Sequence, residues 1–307
     1  MKFVRYSKEA KNYYGILEKD KIVCLPELAK RSNQKLPEKL EGFVALGNTA
    51  VEKVEQIIAE MTEKDSASHS IPLKSAKLLA PIVIPPKIIC LGLNYRDHAK
   101  EQNATISDEP IIFMKPHTAI IGPNESIIKP SFVHQLDYEA ELVIVMGKNC
   151  RNVSVSDAES CIFGYTIMND VSARDIQFKD KQWTRGKSFD TFAPIGPCIL
   201  TRNQLQDTSN LYIRTWVNGE LRQNSTTANM VFNVQEIVHH LSRVMTLEPC
   251  DIIATGTPAG VGFAWKPFPK FLQAGDRVKV EIENIGVLES VIADESKSSA
   301  ISQLRLC

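Results

Sequence analysis

The chain has 307 residues, 43% of them hydrophobic, and its 36 Lys and Arg residues balance 36 Asp and Glu residues. A formal net charge of zero gives no electrostatic attraction to nucleic acid or to an anionic membrane, so neither is expected as a partner. No apolar run approaches the roughly 18 residues that a membrane-spanning helix needs. The composition predicts a soluble protein with one large core domain and a small appendage.

The seven cysteines are scattered along the chain, odd in number and mostly flanked by apolar residues. This pattern is typical of reduced thiols inside a cell and argues against a disulfide framework. We therefore expect a cytoplasmic protein, or a protein of the mitochondrial matrix if the chain is eukaryotic and processed.

Residues 1–75 differ in pattern from the remainder of the chain. They begin with short β segments, and the helical spacing of valines and isoleucines predicts an amphipathic helix over residues 48–60. The polar residues 62–70 are typical of a linker. The sequence therefore predicts a small α+β N-terminal domain of residues 1–75 and a catalytic domain of residues 76–307.

The second part of the chain alternates short β-branched runs with turn residues. Helical patterns there are limited chiefly to residues 155–161 and 234–245. Many short strands with few helices indicate a β-rich α+β fold.

A first chemical cluster lies at residues 91–101, Leu-Gly-Leu-Asn-Tyr-Arg-Asp-His-Ala-Lys-Glu. Either Asn94 or Asp97 is suited to cap a helix, which places His98 and Glu101 at i and i+3 on one face. There the carboxylate can orient the imidazole and hold it ready to accept a proton. The alternative is a solvated helix face, which is the ordinary use of such a pair.

The run of residues 136–146 is predicted to be a strand with Asp137, Glu139 and Glu141 on one face. Side chains two residues apart in a strand lie roughly 6.6 Å apart and point the same way. The other face is apolar, so the strand should be buried on both sides. Like charges in such a place need a cation.

A second β-rich run, residues 163–170, ends in Asp170. Glu139, Glu141 and Asp170 together would form an all-oxygen site of the kind that Mg²⁺, Mn²⁺ or Ca²⁺ prefers. Zinc is disfavoured because no His or Cys lies near these residues in sequence.

Two lysines are candidates for binding an anionic oxygen. Lys115 ends the apolar run of residues 111–115, and Lys187 lies between Gly186 and Ser188. Most lysines only solubilise a surface, but lysines at strand ends near carboxylates are well placed to stabilise negative charge. Residues 255–262 lack the spacing of a phosphate-binding loop and are predicted to form a turn.

Five motifs follow one another along the chain. They are Glu139-x-Glu141, Asp170 in Asn-Asp-Val-Ser-Ala-Arg-Asp, Gly186-Lys187-Ser188-Phe189-Asp190, Val217-Asn218-Gly219-Glu220 and Thr255-Gly256-Thr257-Pro258-Ala259-Gly260-Val261-Gly262. In this order they resemble the motifs of the fumarylacetoacetate hydrolase superfamily, over about residues 80 to 292. The branch most similar in appearance is fumarylacetoacetate hydrolase domain-containing protein 2, with bacterial relatives that act on oxaloacetate.

The resemblance implies a twisted β-roll for the catalytic domain and a homodimer as the assembly. It also implies that His98 and Glu101 form a catalytic dyad on a segment that orders over the substrate. Lys187 should then contact the keto or enolate oxygen, with Lys115 as a supporting charge. The pocket would be lined by Arg174, Gln177 and Thr257.

The resemblance further implies a metal-dependent enzyme that acts on a small 2-oxo or β-diketo acid through a metal-stabilised enolate. Oxaloacetate is the favoured substrate, by keto-enol tautomerisation or decarboxylation. Hydrolysis of a carbon-carbon bond in an acylpyruvate or a fumarylacetoacetate-type acid is the second hypothesis. A hydratase or isomerase of aromatic catabolism and a non-catalytic metal-binding scaffold are further alternatives.

Overall fold

β-Branched and aromatic side chains fit the pleated surface of a sheet, and strands dominate this structure. It is a computed structural model that describes residues 1–32, 34–62, 68–179 and 182–295. The strands are β1 (Lys2–Lys8), β2 (Lys11–Glu18), β3 (Lys21–Cys24), β4 (Ser70–Pro72), β5 (Lys77–Leu79), β6 (Ile88–Gly92), β7 (Ile111–Lys115), β8 (Ile120–Ile121), β9 (Ser126–Lys129), β10 (Leu136–Asp137), β11 (Ala140–Met146), β12 (Ile162–Asn169), β13 (Ser172–Ala173), β14 (Ala193–Thr201), β15 (Tyr212–Val217), β16 (Glu220–Thr226), β17 (Ile252–Ala254), β18 (Arg277–Ile282) and β19 (Gly286–Asp294). The α-helices are α1 (Leu25–Arg31), α2 (Leu40–Ala45), α3 (Asn48–Ala59), α4 (Arg96–Glu101), α5 (Val155–Ala158), α6 (Arg174–Gln177), α7 (Thr184–Lys187) and α8 (Val234–Val244). Short 3-10 turns lie at Leu73–Ser75, His117–Ala119, Glu159–Cys161, Arg202–Gln204, Thr227–Asn229 and Gly262–Ala264.

Most strands join one 12-stranded sheet with the order β4-β3-β2-β1-β14-β12-β11-β17-β6-β7, in which β5 also pairs with β1 and β8 with β14. A five-stranded sheet has the order β16-β15-β18-β19-β9, and β10 pairs with β13. The β-rich α+β class predicted from the sequence is confirmed.

The N-terminal elements follow the sequence prediction. Strands β1 to β3 lie near the start, and the predicted amphipathic helix is α3, which buries Val54 and Ile57. Of the predicted linker, residues 63–67 lie outside the described part of the chain. The domain boundary after residue 75 stays a prediction.

Strand β1 connects this N-terminal part to the large sheet. Lys2 and Phe3 pair with Leu200 and Ile199 of β14. The other edge of β14 pairs with β12. The N-terminal part is therefore hydrogen-bonded directly to a central strand.

The helices predicted in the second part of the chain are present. α5 with the 3-10 turn that follows it covers residues 155–161, and α8 covers nearly all of residues 234–245. No helix among the described residues has the length and apolar character needed to cross a membrane. Six of the seven cysteines are described, and all six are buried and free of disulfides.

The centre of the large sheet positions the acidic residues. β11 and β12 pair antiparallel with Glu141 opposite Met168, and both strands are buried along their entire length. The backbone N–H of Asp170 donates to the carbonyl of Glu139 over 2.8 Å. The end of β12 therefore lies directly against the start of β11.

Two further segments lead from β6 and β17 towards the junction of β11 and β12. Strands β6 and β17 are parallel neighbours. Chain segments that leave parallel strands begin at the same edge of a sheet. β6 leads into α4, which carries His98, and β17 leads into the turn of residues 255–262.

Candidate active site

Three carboxylates meet at the junction of β11 and β12. Glu139, Glu141 and Asp170 are all buried, and each offers a ligand oxygen within 4.8 Å of the others. The strand pairing described above explains this convergence, since it brings the start of β11 to the end of β12. The residues predicted as metal ligands are therefore brought together.

Two lysines compensate part of this buried negative charge. Lys187 Nζ lies 2.6 Å from Glu139 Oε2 and 2.8 Å from Asp170 Oδ2. Lys115 Nζ lies 2.6 Å from the other oxygen of Asp170. Burial lowers the pKa of Lys187, but the attraction of Asp170 and Glu139 outweighs it and raises that pKa above its ordinary value.

Arg174 extends the ion-pair network to Asp137. Its Nε donates to Asp137 Oδ2 over 2.9 Å, and its Nη2 donates to Glu139 Oε1 over 2.6 Å. Its Nη1 donates to Gln177 Oε1 over 2.9 Å. Burial would raise the pKa of Glu139, but Lys187 and Arg174 hold that pKa at about 2.

The predicted strand is interrupted at residues 138–139, between β10 and β11. Asp137 is not part of the cluster of Glu139, Glu141 and Asp170. Asp137 instead accepts hydrogen bonds from the backbone N–H groups of Gly262 and Phe263, as well as from Arg174. It anchors the arginine to the turn after β17.

Glu141 differs from its two neighbours because none of the ion pairs in the described part of the chain involves it. Its Oε2 accepts a hydrogen bond from Gly256 N over 2.8 Å. Burial, with repulsion from Asp170 and Glu139, raises the pKa of Glu141 well above its ordinary value.

The charge balance of the network fits a divalent cation. Four buried carboxylates face three buried cations, which leaves one negative charge in excess. Hard cations such as Mg²⁺ prefer oxygen ligands, and they usually bind through few carboxylates with positions left for substrate. Glu139, Glu141 and Asp170 could hold such an ion.

His98 and Glu101 form the second group of the site. His98 Nδ1 lies 2.6 Å from Glu101 Oε1, while Glu101 Oε2 accepts a hydrogen bond from Gly260 N over 2.9 Å. His98 Nε2 lies 2.6 Å from Gln102 Nε2. Because an amide nitrogen only donates, we assign the proton of a neutral imidazole to Nδ1 and the lone pair to Nε2.

The helix that carries this pair is not solvated on that face, since His98 is only 5% exposed. The predicted capping by Asn94 or Asp97 is wrong, because Tyr95 is the N-cap of α4 and makes no side-chain cap. Asn94 donates to the carbonyl of Thr255, and Asp97 accepts from Ser225. Both side chains hold α4 against its neighbours.

A cavity of about 70 Å³ lies between these two groups. Its polar lining residues are His98, Gln102, Glu139, Arg174, Gln177, Lys187 and Thr257. Its apolar wall is formed by Leu91, Leu93, Phe113, Phe178, Trp183 and Phe263, with Gly92 between the first two. Two other predicted residues contact this lining indirectly or directly: Glu101 hydrogen-bonds to His98, and Lys115 donates to Asp170, which in turn accepts from the lining residue Lys187.

Sequence reasoning missed several residues of the site, and three of them contact predicted residues or close the cavity. Gln102 follows His98 by four positions, a spacing that could have identified it. Gln223 donates to Thr257 Oγ1 over 2.8 Å, and Trp183 packs on the wall of the cavity. Neither of these two has a local signal, because only the tertiary fold brings them to the site.

Known proteins are similar in sequence to most of this chain. Residues 87–293 match the family model described as fumarylacetoacetate (FAA) hydrolase C-terminal. The chain is 47% identical over 267 residues to the fumarylacetoacetate hydrolase domain-containing protein 2 homolog of Dictyostelium discoideum, covering 84% of this chain and 86% of that protein. It is 43% identical over 259 residues to the oxaloacetate tautomerase fahd2, mitochondrial, of Xenopus laevis, covering 84% and 79%.

Solved structures give the same result for the fold. The fumarylacetoacetate hydrolase (EaFAH) from psychrophilic Exiguobacterium antarcticum is similar with a TM-score of 0.81 at 36% identity. The similarity covers 96% of this chain and 100% of that one. The predicted fold type is confirmed over nearly the whole structure.

Proposed function

Because the chain belongs to the fumarylacetoacetate hydrolase family, we propose that it is a divalent-metal-dependent enzyme that acts on a small 2-oxo acid through an enolate. The proposed substrate is oxaloacetate, and the proposed reaction is its keto-enol tautomerisation or decarboxylation. The oxaloacetate tautomerase at 43% identity supports this substrate. One observation of the site carries the proposal: a proton acceptor, a lysine ammonium and Glu139 of the carboxylate cluster line one small cavity.

His98 is the residue suited to move the proton. Tautomerisation transfers a proton from the carbon beside the keto group to the keto oxygen. Glu101 holds Nδ1–H of the imidazole, so that Nε2 is the atom that accepts the carbon proton. The amide of Gln102, which occupies Nε2 in this structure, must turn away first.

The remaining residues bind the acid and stabilise its negative charge. The ammonium of Lys187 is buried beside the carboxylates, where a fixed positive charge stabilises a developing enolate oxygen. Arg174 donates to the oxygen of Gln177, and no described residue accepts from the two amide N–H groups of Gln177, which can therefore bind a substrate carboxylate. Mg²⁺ on the carboxylate cluster, or Mn²⁺ or Ca²⁺ in its place, would supply Lewis-acid charge to the keto oxygen.

Carbon-carbon bond hydrolysis is the second candidate, and the dyad of His98 and Glu101 favours it. A base held in this way can activate a water molecule for attack on a distal carbonyl of an acylpyruvate. The resemblance implies that a hydratase or isomerase of aromatic catabolism would often lack this dyad, and a scaffold would need none of the cavity residues. We therefore rank the hydratase or isomerase and the scaffold below the reactions of oxaloacetate and below carbon-carbon bond hydrolysis.

The proposal is tested by assaying the purified protein with Mg²⁺ against oxaloacetate and acetylpyruvate. We expect faster decay of the enol absorbance of oxaloacetate, with released pyruvate reporting decarboxylation or hydrolysis. The same preparation treated with a chelator is the control, and added Mg²⁺ should restore its activity. Equal rates with and without protein, for both substrates and with each of the three ions, would refute the proposal.

The proposed assembly is a homodimer in which the main parts of two chains pack together. Obligate homodimers bury on the order of 2,000 Å² or more of largely apolar surface. Light scattering in dilute solution should therefore give a mass of twice 34.3 kDa. A stable particle with the mass of one chain would contradict this. By analogy with relatives whose names include mitochondrial, we propose the mitochondrial matrix for a eukaryotic source and the cytoplasm otherwise.

A further inference from the structure

The indole of Trp183 fills the place where a side chain at residue 92 would lie. A Cβ atom built on Gly92 would be 1.9 Å from Trp183 Cζ3 and 2.6 Å from Cη2. Such distances are far below van der Waals contact. The indole can therefore pack against the backbone of residue 92, which forms its seat, only because that residue is glycine. Gly92 ends β6, and no neighbouring backbone atom is among the three closest to that position.

Phe113 connects the indole to the polar end of the cavity. The rings of Trp183 and Phe113 pack edge to face, with 5.8 Å between their centroids. Lys187 Nζ, which binds Glu139 and Asp170, lies 4.9 Å from the centroid of the Phe113 ring. The indole therefore lies one aromatic ring away from the ammonium that faces the proposed keto oxygen.

The space between them is small. The cavity of about 70 Å³ is roughly half the size of an engineered cavity of about 150 Å³ that binds one benzene molecule. Trp183 is half-buried and the Lys187 end of the cavity is fixed by ion pairs. Of the two ends, the indole is the one whose removal would lengthen the cavity.

We propose that Trp183, seated on Gly92, limits the chain length of the substrate and restricts the site to short 2-oxo acids. This inference rests on the proposed function, because it assumes that the 2-oxo end of the acid lies at Lys187 and the carboxylate cluster. Trp183 is thus a specificity-determining residue. It excludes long acyl chains and takes no part in proton transfer.

The test uses binding and does not depend on turnover. Wild-type protein with Mg²⁺ is titrated calorimetrically with straight-chain 2-oxo acids, from pyruvate to 2-oxooctanoate. We expect affinity to fall about tenfold or more as the chain lengthens, the order that a restrictive pocket gives. In Trp183→Ala, each methylene that finds apolar surface should instead raise affinity by up to about fourfold.

Gly92→Ala tests the contact between Gly92 and Trp183 from the Gly92 side. It changes neither Trp183 nor any residue of helix α7, which follows Trp183. Its new methyl group should displace the half-buried indole and reproduce the chain-length profile of Trp183→Ala. The double variant should show no further gain, because the two changes act through one contact. Trp216→Ala, which removes a half-buried tryptophan from β15, is the matched control and should keep the wild-type profile.

Each outcome decides between the proposals. Identical chain-length profiles in wild type and both variants would overturn the role of Trp183 while leaving the proposed function intact. A changed profile in Trp183→Ala without one in Gly92→Ala would also overturn it, since the seat would not matter. If no 2-oxo acid binds to the wild-type protein, the proposed function fails and the inference fails with it.

Discussion

Glu141→Gln should abolish Mg²⁺ binding and activity while leaving the metal-free protein at least as stable as the wild type. Glu141 is buried without an ion pair among the described residues, so its charge is opposed by Asp170 and Glu139. Gln keeps the shape and the acceptor for Gly256 N but removes the charge that a cation needs. Lewis-acid stabilisation is worth several kcal/mol, so activity should fall by about 10³ or more.

The measurements are a calorimetric Mg²⁺ titration, the oxaloacetate assay and thermal unfolding in a chelator. Because the pKa of Glu141 is raised in the folded protein, its carboxylate destabilises the fold increasingly as pH rises above the unfolded-state pKa. The stability gain from Gln should therefore be larger at about pH 8 than at about pH 5.

Asp170→Asn provides the contrast, since it should lose the metal and stability together. Asp170 binds both Lys115 and Lys187, and an uncompensated buried charge typically costs about 3–5 kcal/mol. Glu109→Gln changes an exposed carboxylate and should leave both properties unchanged. Wild-type Mg²⁺ affinity in Glu141→Gln would show that the ion binds elsewhere.

His98→Ala should separate the candidate reactions. Attack of water on a distal carbonyl, and the proton transfer of tautomerisation, both need a base, whose removal typically costs about 10² to 10⁴ in rate. Decarboxylation needs only charge stabilisation at the keto oxygen, which Lys187 and a cation held by the carboxylate cluster would provide. The variant should therefore lose the first two activities and keep much of any decarboxylation.

Three assays with Mg²⁺ check this: enol absorbance of oxaloacetate, pyruvate release from oxaloacetate and pyruvate release from acetylpyruvate. Lys100→Ala is the control, because Lys100 is an exposed residue of the same helix. Wild-type rates of His98→Ala in all three assays would show that the dyad has no role in the chemistry.

The convergence of Glu139, Glu141 and Asp170 could be predicted from sequence because it depends on local regularities. Alternating side chains on a strand bring the two glutamates to one face, and the buried pattern of β11 and β12 favours their pairing. The same regularity brings Asp137 close to Glu139, since both accept from Arg174. The further hydrogen bonds of Asp137 to Gly262 and Phe263 are tertiary contacts, which leave no periodic pattern in the sequence.

The environment of α4 shows the second limit of sequence reasoning. Asn94 and Asp97 are both good capping residues, so the local pattern favoured a cap. In the structure their side chains bind Thr255 and Ser225, which are more than a hundred residues away. The role of Gly92 was also hidden in the sequence, because a glycine at a strand end can serve several structural roles. Only the position of Trp183 shows that this glycine makes room for the indole.

The pairing of β1 with β14 has a consequence for any attempt to isolate the catalytic part of the chain. One edge of β14 pairs with β12, the strand that precedes Asp170. The other edge of β14 pairs in part with Lys2 and Phe3. A shortened chain that begins after β1 would expose those backbone groups to solvent. Unprotected strand edges promote intermolecular aggregation. The first strand thus protects this edge of β14 against aggregation with the strand edges of other molecules.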